Sequence, residues 1–279
     1  MTIKIVTDST CDLPDELAAE HGISVVPLYI NIGTDSYLDG VELSRRAFYE
    51  GLPDYKIFPT TAVPGVGAFK RVYERLANEG ATEILSLHIS ISLSSVVNVA
   101  RLAAEEVESV RVTVLDSRQL SLGTGWLAML AARAAAARHS MEDILALVKD
   151  QIRRSYVFAA LDTLEFLRRS GRMNGIVAGL GTLIDLKPLL KMYDGQPESE
   201  RVRTNGRAHR RLIELVSAIG PLERLALVHT NAPDKAEQLR QQAQHLFPGD
   251  EEPLSVNVTS VIGSHIGPGA VGFAAVASR

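Results

Sequence analysis

Residues 83–116 read EILSLHISISLSSVVNVARLAAEEVESVRVTVLD. Two short apolar runs, residues 83–89 and 110–116, have the length and Ile/Leu/Val content of buried strands. Residues 93–107 between them form an expected helix. Strand, helix, strand in that order is the unit of a parallel sheet covered on both faces, because parallel neighbours need a crossover.

The chain before this unit continues the alternation. Ile3-Lys4-Ile5-Val6 is a short β-branched run, expected as a buried strand, and Thr7-Asp8-Ser9-Thr10 as a polar loop after it. Asp12-Leu13-Pro14-Asp15-Glu16 carries an early proline and an acidic first turn, the marks of a helix start, and Gly22 ends that helix. Residues 24–32 read as one further strand, with a turn at Gly33-Thr34-Asp35. A helix over 43–51, a loop over 58–64 and a helix over 67–78 follow; Phe69, Val72, Tyr73 and Leu76 share one face of the last. Beyond the opening unit, helices are expected at 121–138 and 141–155.

The second half mixes hairpin and helix signals. Strands are expected at 156–161, 186–193, 200–203, 225–229, 255–258 and 270–276, and helices at 163–169, 208–219 and 234–246. Asp194-Gly195 marks a hairpin. The expected fold is α/β in two lobes, 1–155 with a mostly parallel sheet and 156–279 with a mixed sheet, both covered by helices.

Composition narrows function. A formal net charge of −4 lacks the basic excess of a nucleic-acid binder, so no nucleic-acid partner is expected. The single cysteine, Cys11, excludes a disulfide framework within one chain and reads as a small loop residue in a reducing compartment. The start has no basic region followed by a long apolar run. The most apolar helical stretch, 126–137, is interrupted by Arg133 and falls short of the ~20 residues of a membrane span. A cytoplasmic protein is expected.

Four segments carry chemistry-bearing side chains. Thr60-Thr61 lies ahead of a helix, where hydroxyls and free N–H groups can hold an anion, although the local sequence by itself favours an ordinary capped turn. Ser90-Ile91-Ser92-Leu93-Ser94-Ser95 follows a strand at the sheet's carboxyl edge, where ligands bind in such folds, and holds more serines than capping needs. Residues 262–270 surround His265 with Gly263, Gly267, Gly269 and Pro268, which implies a tight loop able to approach a ligand. The arginines at 201, 203, 207, 210 and 211, and those at 168, 169 and 172, read by default as solvated faces. No metal-ligand spacing, Walker A loop, dinucleotide fingerprint or G-x-S-x-G motif is present.

Together these pieces resemble the DegV family along nearly the whole chain. Val6-Thr7-Asp8-Ser9-Thr10-Cys11-Asp12-Leu13 is similar to its T-D-S-T-x-D-L start. Residues 164–172 resemble its L-x-x-L-x-x-G-G-R segment, Lys187-Pro188-Leu189-Leu190 its K-P-[IL]-L strand, and residues 263–270 its G-[TS]-H-x-G-P-G-A loop. The resemblance implies a long-chain fatty acid buried between two lobes, its carboxylate held near Thr61, Ser94, His265 and Arg203, with Thr60, Ser95 and Gly267 beside them. It also implies a non-catalytic, cofactor-free and metal-free carrier in phospholipid metabolism, which contacts membranes transiently and presents the acid to a separate ATP-dependent fatty acid kinase subunit. The chain departs from the family pattern with Ala62-Val63 after the threonine and Ser95-Val96-Val97 after the serine. Two other readings stay open: an autonomous hydrolase with His265 as base and Ser94 or Ser9 as nucleophile, and a binding module for another small anion.

Overall fold

A computed structural model describes residues 2–172, 187–249 and 252–279. The first sheet is parallel throughout: β1 (Ile3–Asp8) pairs with β2 (Ile23–Val26) and with β6 (Glu83–His88), which pairs with β7 (Arg111–Asp116). Its order is β2-β1-β6-β7. A small antiparallel sheet holds β3 (Tyr29–Ile32) between β4 (Asp35–Leu38) and β5 (Thr60–Ala62). The third sheet is mixed and six-stranded. Its members are β8 (Ser155–Ala160), β9 (Lys187–Tyr193), β10 (Gln196–Val202), β11 (Leu222–His229), β12 (Ser255–Asn257) and β13 (Val271–Ala277). They run in the order β10-β9-β8-β13-β11-β12, antiparallel except for β11 with β12.

The period-two pleat of the strands explains how these sheets stack. Ile3 and Ile5 point to one face of the parallel sheet, with Leu85 and Leu87; Val6 and Ile84 point to the other. In the mixed sheet Ala226, Val228, Ala274 and Val276 face inward, and Leu225, Leu227, Phe273 and Ala275 face outward. Helix α5 (Leu122–Ala136) fills the space between the two inward faces, and α6 (Met141–Ile152) packs beside it. Nearly every side chain of α5 is buried, as a helix apolar all round requires. The outer face of the parallel sheet is covered by α3 (Val66–Asn78) and α4 (Val96–Glu105), through Phe69, Tyr73, Val96 and Ala100. Helices α8 (Asn205–Ser217) and α9 (Pro233–Gln242) cover the outer face of the mixed sheet through Leu212, Val216 and Leu239. The short helices are α1 (Asp15–Glu20), α2 (Arg45–Gly51), α7 (Glu165–Arg169) and α10 (Ser260–Ile266).

Besides shifts at element ends and β4, which the sequence reading did not expect, three segments depart from that reading, each for a local reason. Residues 24–32 are two strands in two different sheets, because Pro27 cannot donate to a ladder and marks the change of sheet. The loop expected at 58–64 contains β5, three residues paired to β3 between two prolines. The glycine-rich segment at 262–270 is helical as far as Ile266. Leu186, the first residue of one expected strand, lies outside the described residues. Among the described residues no helix is long and apolar enough to cross a membrane.

Candidate functional site

Strand β1 ends in a 3-10 turn, Ser9–Cys11, at the carboxyl edge of the parallel sheet. Beside it lies a cavity of about 100 Å³ walled by residues from both halves of the chain. The apolar wall includes Leu28, Val63, Ile89, Leu93, Leu120, Leu167, Leu190, Ile262 and Ile266. The polar part of the same wall is Thr10, Thr61, Ser94, Arg172 and His265. Thr61 comes from β5, Ser94 from the turn before α4, and His265 from the last turn of α10. Three segments singled out separately in the sequence thus share one cavity.

Thr61 Oγ1 and His265 Nε2 share a hydrogen bond of 3.0 Å. His265 Nδ1 is buried and has no partner among the described residues. Burial, and secondarily the positive charge of Arg172, pushes the imidazole down to about 4, so it is neutral at pH 7. A neutral imidazole has one donor and one acceptor nitrogen. With the proton on Nε2, His265 donates to Thr61 and leaves the threonine hydroxyl free to donate into the cavity.

Neither hydroxyl serves as a helix cap. Thr61 sits on a strand, and the N-cap of α4 is Ser95, whose side chain makes no capping bond. Thr60 and Ser95 are exposed neighbours and do not line the cavity. Gly267 follows α10 with φ +77, and a Cβ there would stand 2.5 Å from the Phe166 ring. Only a glycine accommodates both that backbone angle and that contact. Gly263, by contrast, is a packing glycine: a Cβ on it would lie 2.2 Å from the Tyr49 hydroxyl.

Arg203 is exposed just past β10 and is not on the cavity wall. The guanidinium at the cavity belongs to Arg172, which the sequence reading left among solvated residues. Its sequence signal was its place as the last residue of the segment 164–172. Thr10 was also missed as a wall residue. Its N–H donates to Asp8 Oδ1 at 3.0 Å, and its hydroxyl donates to the same oxygen.

Asp8 continues into a buried chain that resembles a nucleophilic triad. His88 Nδ1 lies 3.0 Å from Asp8 Oδ2, and His88 Nε2 lies 2.7 Å from Ser86 Oγ. Ser86 Oγ also bonds the Tyr73 hydroxyl at 2.8 Å. Asp8, Ser86, His88 and Tyr73 are all fully buried. A nucleophile must reach its substrate, and this serine reaches nothing but protein. Asp8 is held below the usual carboxylate range: burial opposes this, but the bonds from His88, Thr10 and the Ile89 N–H outweigh it. Cys11 is buried and its thiol is pushed up to about 12, chiefly by burial, so no thiolate is available near neutral pH. Among the described residues no cluster of three His, Cys, Asp or Glu side chains could hold a metal ion.

A family model described as an uncharacterised protein of the DegV family matches residues 2–278. A DegV domain-containing protein of Deinococcus radiodurans is 38% identical over 282 residues, covering 98% of each chain. Two solved structures share the architecture. A DegV family protein from Thermus thermophilus, described for its fatty acid binding, superposes with a TM-score of 0.90 at 38% identity over 100% of both chains. DegV of Bacillus subtilis, described as a fatty acid binding protein, gives a TM-score of 0.90 at 29% identity, again over 100% of both chains.

Proposed function

This chain belongs to the DegV family, and from that footing we propose that it binds one long-chain fatty acid in the cavity beside Thr10. The observation that carries the reading is the meeting of Thr61, Ser94 and His265 on one wall that is mostly apolar. A buried carboxylate needs donors, because an unpaired charge in an apolar setting costs many kcal/mol. Thr61 and Ser94 offer hydroxyls, His265 orients the first through its Nε2, and Arg172 supplies a positive charge at the wall. Charge-assisted bonds of this kind fix the head group. The tail supplies most of the affinity, at about 0.8 kcal/mol per buried methylene.

In this reading the chain divides near residue 155, and the acid lies where the two lobes meet, in a narrow tunnel. The protein is cytoplasmic, touches membranes transiently, and presents the carboxylate to a separate kinase subunit for acyl phosphate formation. The autonomous hydrolase has less support: His265 meets a threonine at Nε2 and, among the described residues, no carboxylate at Nδ1, and Ser9 Oγ accepts from the Leu28 N–H at 3.2 Å. Native mass spectrometry of the purified chain tests the reading. A co-purifying acyl mass of one per chain supports it; ester turnover by the chain alone overturns it.

A further inference from the structure

Helix α10 has only seven residues, about 10 Å of rise, so its own hydrogen bonds do not fix its position. Packing of Val261 and Ile262 seats it in the core, and a set of polar contacts holds its amino end. The Thr259 N–H donates to Asp12 Oδ1 at 2.7 Å, and the Thr259 hydroxyl donates to Asp39 Oδ2. Arg45 Nη1 donates to the Asn257 carbonyl at 2.6 Å, and the Tyr49 hydroxyl donates to the Val258 carbonyl at 3.0 Å. Every one of these partners comes from the first quarter of the chain. Asp12 stands at their centre. Its Oδ2 accepts from the Ser121 hydroxyl at 2.5 Å, and its Oδ1 lies 3.6 Å from Arg45 Nη1.

Asp12 is a costly residue to keep there. It is fully buried, and its backbone is left-handed, with φ 55. We propose that Asp12 is a positioning residue for the head-group site: by fixing the amino end of α10, it sets where His265, six residues on from Thr259, stands against Thr61. The inference rests on the acyl-site reading. His265 acts at the site and Asp12 acts only through it. The tolerance is small, since a displacement near 1 Å takes a 3.0 Å contact beyond hydrogen-bonding range. Burial supports the same assignment from another side: it raises the Asp12 carboxyl to about 6, and Arg45, Ser121 and Thr259 oppose that rise.

Two substitutions suit the left-handed backbone. Asp12→Gly removes the carboxylate, and Asp12→Asn keeps an oxygen for the Thr259 N–H. The imidazole of His265 is followed by NMR across pH in ligand-free protein, and oleate is titrated into delipidated samples. In Asp12→Gly the His265 titration should move from about 4 toward the ordinary 6.5, and oleate should bind about tenfold more weakly, the size of one lost hydrogen bond. Asp12→Asn should restore both. A melting temperature alone does not decide, because a merely structural carboxylate would lower it too. If Asp12→Gly does not fold, Ser121→Ala, which frees Asp12 Oδ2, should shift His265 in the same direction by less. An unmoved His265 titration in the folded variants overturns the proposal. Failure of the wild-type chain to bind oleate overturns the acyl reading instead, and leaves the ring measurement to judge Asp12.

Discussion

The two ends of α10 hold buried titratable groups under opposite terms. At the amino end both oxygens of Asp12 have donors, from Thr259 and Ser121. At the carboxyl end, among the described residues, His265 hydrogen-bonds only Thr61, its Nδ1 has no partner, and the Ser94 hydroxyl at the same cavity makes no hydrogen bond. A satisfied buried group fixes the scaffold, whereas unused donor and acceptor capacity at a cavity wall is capacity for a ligand. Substitutions at the first end should therefore act through position and stability, and those at the second through affinity.

The largest expected effect breaks the carboxyl end outright. Gly267→Ala combines a positive φ with a Cβ 2.5 Å from the Phe166 ring. It should lower stability by about 3 kcal/mol, read by urea unfolding. Next come the hydroxyls. Thr61→Val and Ser94→Ala should each weaken acyl binding about ten- to a hundredfold, less than additively when combined. The Ser94 hydroxyl neither caps a helix nor bonds another group among the described residues, so Ser94→Ala should leave ligand-free thermal unfolding nearly unchanged, whereas Thr61→Val takes the partner from His265 Nε2 and should cost about 1 kcal/mol. A lowered melting temperature with unchanged affinity would place them with the scaffold.

A third test uses pH. The folded Asp12 carboxyl, near 6, lies above its ordinary 3.8. The folded chain therefore holds this proton over a window where the unfolded chain has lost it. The resulting stability is fully present below 3.8 and is lost as pH rises through 6. Asp8, at the other side of the same turn, is shifted down, so its contribution is present above its ordinary value and is lost as pH falls through its folded value. Asp12→Asn should remove a rise in stability toward acid of about 3 kcal/mol, and Asp8→Asn should remove a loss. Denaturant unfolding across pH 3–7 checks the two signs. The smallest effect belongs to Arg203. Its exposed side chain is off the cavity wall, so Arg203→Ala should change acyl affinity less than about twofold, whereas Arg172→Gln should weaken it.

The layered fold was legible because its signals are local: apolar strand runs, the helix start with Pro14, Asp15 and Glu16 at α1, and the Asp194-Gly195 turn. Shorter elements were hidden. Strand β5 has three residues between prolines, and Gly263 imitates a loop although it serves close packing against Tyr49. Thr61, Ser94 and His265 could be singled out because hydroxyls and a histidine lay in turn-rich segments resembling a known family. Arg172 was passed over because the arginines at 168, 169 and 172 read together as a solvated face, although Arg172 closes the segment 164–172 that resembles the family's. The link from Asp12 to Thr259 spans 247 residues, and no window of sequence contains it.

One titration tests the central claim most directly. A fluorescent long-chain fatty acid is added to the delipidated wild-type chain and to the Thr61→Val, Ser94→Ala double variant. The account predicts saturable binding of one acid per wild-type chain, and at least about tenfold weaker binding by a variant that is still folded at the temperature of the titration. Equal binding by both proteins, or none by the wild type, would contradict it.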